Sequence, residues 1–142
     1  MENLEDLLLE LEFPVLLDLE FEGLPPTVNH IYRGAKGWRY LTQETREFQE
    51  RITTLLREQW QDKEAFTGPV FLSIFFYIGD KRRRDIDNHI KALQDCFEKA
   101  GVIQDDSQIY AIFTKREDIQ GKKNYTKLLL REWHINTVYN QE

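Results

Sequence analysis

Residues 70–108 of the chain read VFLSIFFYIGDKRRRDIDNHIKALQDCFEKAGVIQDDSQ and contain, in order, a strand, a charged loop and a helix. The stretch from Val70 to Ile78 is apolar on both faces, which predicts a strand in the middle of a sheet. A helix is predicted over residues 88–100, because apolar residues recur there at helical spacing. Gly101 stands just past this helix, where a glycine in the left-handed conformation often ends one. We therefore expect a sheet with this helix packed against it.

The segments on either side of this unit predict three further strands and one more helix, from two-residue alternation and helical periodicity respectively. The strands are expected at about residues 17–22, 109–114 and 127–133, and the helix at about 43–61. Thr42 is placed to cap that helix. The loop between the last two strands contains Gly121 and suits an antiparallel hairpin. The order β-α-β-α-β-β favours a single α+β domain with helices packed on a mixed sheet.

The first 14 residues are predicted as an acidic leader ahead of the domain, which we place at residues 15–142. Leucines recur at helical spacing over residues 3–12, which predicts a short amphipathic helix ended by Pro14. These leucines are Leu4, Leu7, Leu8 and Leu11. The leader could lie across a basic face, pack in a dimer interface through its leucines, or extend into solvent. Of the three, we expect the solvated extension.

Composition narrows the class of protein. The single cysteine, Cys96, excludes a disulfide framework within the chain and is expected to be buried on its helix. No stretch is long and apolar enough to span a membrane, and the N-terminus lacks the basic region of a secretory signal, so we expect a cytoplasmic protein.

The formal net charge is −6, but residues 1–24 hold eight acids and no lysine or arginine, which leaves 17 acids against 19 bases in residues 25–142. The body of the chain is therefore mildly basic, and a nucleic-acid partner stays open.

Four polar residues around the helix of this unit are predicted to share one site. Asp85 and Asp87 stand where the central strand stops, and alternate positions of an extended backbone point the same way. The helix rises about 20 Å, and residues 102–106, if extended, return roughly 16 Å. Asp106 would then arrive near the first two aspartates. Lys91 lies one helical turn after Asp87 on the same face.

Three carboxylates without a histidine or cysteine ligand suit a hard cation that prefers oxygen, Mg²⁺ or Mn²⁺. Such an ion polarises a phosphodiester and activates water, and a lysine beside it offsets the negative charge that develops on the oxygens of the phosphorane. The basic run from Lys81 to Arg84 indicates a phosphate polymer as the substrate. Spacing alone leaves a second interpretation open, in which Asp87 only caps a helix and Asp106 belongs to an ordinary polar turn.

Residues 82–108 combine five features in order: a basic run, the pattern D-x-D-N, a lysine four residues after the second aspartate, an A-G helix end and a D-D-x-Q turn. An earlier stretch, LPPTVNHIYR at residues 24–33, carries two prolines, an asparagine and a tyrosine. This combination resembles the RusA-type Holliday junction resolvases, a family of crossover junction endodeoxyribonucleases. The resemblance covers roughly residues 15–135, and it implies a RusA-like fold.

The resemblance also implies a function: a homodimeric, Mg²⁺-dependent endonuclease that resolves four-way DNA junctions by paired symmetrical nicks, in recombination and repair. It implies that Asp85, Asp87 and Asp106 bind the metal and that Lys91 is the catalytic lysine. It implies that Arg82, Arg83 and Arg84 contact the DNA phosphates, and that Asn29 lines the DNA face or supports the site. Two alternatives stay open, a less selective branched-DNA or flap nuclease with the same site, and a catalytically inactive DNA-binding or interaction module. A prophage origin is implied by the resemblance alone.

Overall fold

The computed structural model describes residues 13–27, 32–34 and 40–134, and these form a mixed sheet covered by helices. The strands are β1 (Val15–Glu22), β2 (Tyr32–Arg33), β3 (Tyr40–Leu41), β4 (Val70–Ile78), β5 (Ile109–Asp118) and β6 (Tyr125–Glu132), and the α-helices are α1 (Gln43–Trp60) and α2 (Lys91–Lys99). Two short 3-10 helices cover Ile86–His89 and Asp106–Gln108. The predicted α+β fold is confirmed. The predicted leader helix lies outside the described residues.

The four long strands are ordered β1-β6-β4-β5 across the sheet. β4 pairs in parallel with β5 and antiparallel with β6, and β6 pairs antiparallel with β1. The predicted hairpin of β5 with β6 is therefore wrong, because these strands lie on opposite sides of β4. Their connection crosses the end of β4, where Ile119 N–H donates to the carbonyl of Ile78 (3.0 Å) and Gly121 N–H to that of Gly79 (3.1 Å). A two-stranded ribbon of β2 and β3 also stands where a plain loop was expected.

The core lies between the helices and one face of the sheet, which we call the inner face and which includes Leu72, Ile74 and Phe76 of β4. The largest side chains that are fully buried are Phe76, Phe97, Ile52, Leu56, Leu72, Ile74, Ile78, Leu93, Ile103, Leu128 and Leu130. Thr42 caps α1 as predicted, since its side chain accepts the backbone N–H of Thr45 at 3.2 Å. None of the helices in the described ranges has the length and apolar character needed to cross a membrane.

The helix predicted over residues 88–100 is divided in the structure. A 3-10 helix comes first, and α2 begins only at Lys91. His89, at the end of the 3-10 helix, is 3% exposed, and its Nδ1 donates to the carbonyl oxygen of Pro25 at 2.6 Å. This contact fastens the segment to the loop after β1, and no periodic pattern could reveal it. Gly101 has a φ of +75° and donates to the carbonyl of Glu98 at 3.0 Å, which confirms the predicted helix end.

Candidate active site

The loop between β4 and the 3-10 helix is organised by Asp80. The carboxylate accepts hydrogen bonds from the Arg84 guanidinium (2.7 Å), from the backbone N–H of Arg82 (3.0 Å) and from Nδ2 of Asn124 (3.2 Å). The Arg84 bond, followed by the Asn124 bond, holds the pKa of Asp80 well below its usual range. The loop therefore has a fixed shape before it delivers Asp85. Because the contact between Asp80 and Asn124 spans 44 positions, no local pattern in the sequence points to it.

Asn124 also joins this loop to two neighbouring turns. Its Oδ1 accepts the backbone N–H of Gly79 (2.8 Å), and its carbonyl accepts that of Gly23 (2.7 Å). Gly79 has no space for a side chain, since a Cβ there would lie 1.6 Å from the carbonyl oxygen of Lys122. The ends of β1 and β4 and the turn before β6 are thus held against one another at the base of the loop.

The three arginines predicted to contact phosphate differ in availability. Arg82 and Arg83 are exposed. The side chain of Arg84 is only 18% exposed, and its guanidinium is occupied by Asp80. On β5, Arg116 donates to the carbonyl of Arg82 at 3.1 Å, and its guanidinium is also paired with Asp118 (2.8 Å).

Asp85 and Asp87 flank Ile86 at the start of the 3-10 helix. Ile86 packs against the core, whereas both aspartates are exposed. Among the described residues, neither carboxylate has a hydrogen-bond or ion-pair partner. Asp85 is extended (φ −93°, ψ 105°) and caps the turn through its carbonyl, which accepts Asn88 N–H at 3.1 Å. Asp87 already lies within the 3-10 turn, so the expected extended alternation does not describe this pair.

Lys91 is the first residue of α2 and is exposed. It was expected one turn into a continuous helix, and the break at Ile90 places it instead at a helix start. Within the described part of the chain, its ammonium group contacts no acidic partner. Asp85, Asp87 and Lys91 therefore present exposed charges on one short segment, which the buried His89 anchors.

Asp106 lies beside the last turn of α2, where its backbone N–H donates to Oε1 of Glu98 at 2.5 Å. One oxygen each from Glu98, Asp105 and Asp106 lies within 4.8 Å of the others, and all three residues are exposed. The backbone N–H of Ser107, and after it the Asp106 carboxyl, lower the pKa of Asp105. Glu98 was not among the predicted residues, since its helix position does not distinguish it from other exposed acids.

The structure therefore groups Asp106 with Glu98 and Asp105, and neither Asp85 nor Asp87 belongs to that group. Glu98 is seven residues after Lys91, which corresponds to about 10 Å along the helix axis. The candidate ligand atoms of both groups are carboxylate oxygens, the donors that Mg²⁺ and Mn²⁺ prefer.

Asn29 lies outside the described residues, so its predicted place on the DNA face stays a prediction. The loop that leads towards it is nevertheless positioned, because Pro25 and Pro26 are buried and Pro25 accepts the hydrogen bond from His89. The Pro-Pro loop and the segment of Asp85 and Asp87 are therefore joined by a direct contact.

Comparison with known proteins finds one family over most of the chain. The family described as endodeoxyribonuclease RusA matches residues 22–128. A crossover junction endodeoxyribonuclease RusA of Aquifex aeolicus is 32% identical over 108 residues, 75% of this chain and 85% of that protein. Proteins of the same name from Escherichia coli strain K12 and Enterobacteria phage 82 are each 32% identical over 85 residues, 60% of this chain and 70% of theirs. The family match contains the four predicted catalytic residues and excludes the leader.

Proposed function

The chain belongs to the RusA endodeoxyribonuclease family, and from that membership we propose that it resolves four-way DNA junctions with the help of a divalent cation. The proposed cation is Mg²⁺, with Mn²⁺ as a substitute. The observation that supports this most directly is that Asp85, Asp87 and Lys91 are exposed on one short segment and, among the described residues, have no ion-pair partner. Exposed carboxylates are accessible to a cation, and their oxygens are the ligands that Mg²⁺ and Mn²⁺ prefer.

In this proposal Asp85 and Asp87 supply oxygen ligands, and Asp106 supplies a third. A bound cation would act as a Lewis acid on the phosphodiester and would lower the pKa of water at the site. Lys91 directs its ammonium at the phosphoryl oxygens, where negative charge increases in the transition state. The buried contacts of Ile86 and His89 hold the segment that carries these charges.

A second ligand set is favoured by one observation, the 4.8 Å grouping of Glu98 with Asp105 and Asp106. Amide variants separate the two sets, because an amide keeps the size of the side chain and removes the charge. Asp87→Asn should abolish cleavage while junction binding changes little. Glu98→Gln should leave cleavage nearly intact if Asp85, Asp87 and Asp106 are the ligands, and should abolish it if Glu98 is one. Glu58→Gln, at an exposed acid of α1, is the matched control.

The DNA contacts in this proposal are made by Arg82, Arg83 and Asn29, with Arg84 contributing through its hold on the loop. Phosphate contacts release counterions, so binding should weaken steeply as salt increases. Arg83→Gln should weaken binding to all DNA forms and reduce the salt slope by about one unit. Arg84→Gln should in addition lower stability, because its ion pair with Asp80 is lost.

The substrate is tested with end-labelled four-way junction, linear duplex and flap DNA, each incubated with and without Mg²⁺. Paired symmetrical nicks on the junction alone, only with the metal, are expected. Equal cleavage of flap and junction would favour the less selective branched-DNA nuclease. Binding without cleavage under every metal condition would contradict the proposal. Paired nicking also requires two sites, so the active species should be a homodimer by light scattering at assay concentration.

A further inference from the structure

The face of the sheet opposite the helices carries a second apolar cluster. Phe71 of β4 is 7% exposed, yet it lies outside the main core cluster. Its ring stacks on Trp133 at 5.8 Å, and the ring of Phe13 lies 5.3 Å from Trp133. Farther along the same face, Phe75 and Phe113 are 5.9 Å apart. We call this set the outer-face cluster; it comprises Phe13, Phe71, Phe75, Phe113, Leu129 and Trp133.

Strand register places these side chains together. Successive residues of a strand point to opposite faces of the sheet. Phe71 and Phe75 alternate with the inner-face residues Leu72 and Ile74 and therefore lie on the outer face. Phe113 and Leu129 both pair with Ser73, from β5 and β6 respectively, which puts them on the same face as Phe75. Both α-helices of the described chain contribute to the inner-face core instead. The outer-face cluster therefore has no helix of the described residues packed on it.

The size of this surface indicates what could cover it. From Phe71 to Tyr77 the strand runs about 20 Å, and β6, β4 and β5 together are about 10 Å wide between strand axes. With side chains included, the area is roughly 300 Å². A stable dimer interface buries about 800 Å² on each partner, which is more than this surface offers. A single helix, 10–12 Å in diameter, matches it.

We propose that residues 3–12 of this chain dock on the outer-face cluster as a helix, with their leucines against the sheet. These residues lie outside the described ones, but the point where the described chain begins supports the assignment. Phe13 already contacts Trp133, and the carbonyl of Pro14 accepts Glu132 N–H at 2.9 Å. The preceding residues are thus tethered at the rim of the cluster, where a short link gives a high effective concentration. Ten helical residues are about 15 Å long, close to the length of the surface.

The proposal has a consequence for the leader. Because α2 packs on the inner face, the docked leader and the segment of Asp85 and Asp87 lie on opposite sides of the sheet. The leader then contributes to the fold and does not mask the site. Its leucines Leu4, Leu7, Leu8 and Leu11 replace solvent over the aromatic rings, and its acidic residues face outward.

A spin label on the leader of the full chain tests the docking. The native Cys96 does not interfere, because it is fully buried and burial raises the pKa of its thiol to about 12. A nitroxide on Glu5→Cys should broaden the NMR signals of Leu129 and Phe113 and leave those of Leu93 sharp. A label on Asp62→Cys, in the exposed turn after α1, is the control. No broadening, broadening centred on α2, or broadening that also occurs between labelled and unlabelled molecules would each overturn the proposal.

Thermal unfolding supplies an independent test with a matched pair of substitutions. Leu8 lies on the leucine stripe, whereas Leu9 points away from it on a helical wheel. Leu8→Ser should lower the midpoint of unfolding by roughly 5 °C, since a buried leucine is lost. Leu9→Ser should change the midpoint by less than about 1 °C. Equal shifts for the two variants, or no shift for either, would contradict the docking.

Discussion

Replacing Gly79 with alanine tests the packing at the base of the loop between β4 and the 3-10 helix. The added Cβ would lie 1.6 Å from the carbonyl oxygen of Lys122, 2.7 Å from its carbonyl carbon and 3.0 Å from its nitrogen. All three are backbone atoms, so no side-chain rotation can relieve the overlap. The end of β4 and the turn before β6 must separate by more than about 1.5 Å to restore ordinary contact.

That separation has a cost that can be worked out from the contacts at Gly79. Its N–H donates to Oδ1 of Asn124 at 2.8 Å, and its carbonyl accepts from Gly121 at 3.1 Å. Losing two hydrogen bonds costs about 2 kcal/mol, and overpacking adds about 1–3 kcal/mol. We expect a total of about 3–5 kcal/mol, or a midpoint lowered by roughly 10–15 °C. Cleavage should also slow, because the loop that leads to Asp85 loses its support.

Urea unfolding at pH 7 measures the loss, with Gly23→Ala as the control. Gly23 has a φ of +90°, but a Cβ there would meet nothing within 4 Å, so only backbone strain opposes the change. Such strain costs about 1–2 kcal/mol. If Gly79→Ala were no less stable than Gly23→Ala, the crossing of the β5–β6 connection over β4 would be looser than described, and the reasoning would fail.

Four further predictions follow from single residues. Asp80→Asn should make stability less sensitive to acid, because the fold depresses the pKa of Asp80. The ionised carboxylate stabilises the fold above its ordinary pKa of about 4, and this stabilisation is lost progressively as pH falls below that value. Unfolding curves at pH 7, 4 and 3 check this, and a variant that keeps the acid sensitivity of the parent would contradict it. Asn124→Ala should cost about 2 kcal/mol by the same method, because two side-chain hydrogen bonds are lost. Lys91→Met should slow junction cleavage by about 10²–10³-fold with little change in binding, whereas Lys123→Met, at an exposed lysine, should leave the rate unchanged. Cys96 should react with a thiol reagent only on unfolding, since burial raises the pKa of its thiol to about 12; rapid labelling of the folded protein would refute the burial.

The elements that local signals specify agree closely with prediction. β4 has the predicted bounds, and α1 differs from prediction by one residue at its end. Thr42 and Gly101 perform the predicted roles, because a helix cap and a left-handed helix end depend only on neighbouring residues. The burial of Cys96 is confirmed for the same reason, since its position on the apolar stripe of the helix is a local property.

The elements that differ depend on contacts between distant residues. The connection from β5 to β6 contains turn residues that suit a hairpin, but hydrogen bonds to Ile78 and Gly79 carry it across β4. The predicted second helix is interrupted near Ile90, where the preceding His89 reaches back to Pro25, 64 positions away. Neither contact changes the spacing of apolar residues along the chain, so neither could be predicted from one sequence.

By itself the sequence determined which chemistry is present: carboxylates, a lysine and a basic run, concentrated in residues 82–108 with the pattern of a DNA-cleaving family. The tertiary structure decided how these groups are arranged. It paired Arg84 with Asp80, placed Asp85 and Asp87 at an exposed 3-10 turn, and brought Asp106 to Glu98. The physical reason is that residue types and local spacing fix charge and backbone preference, whereas the distance between two side chains depends on the packing of the whole sheet.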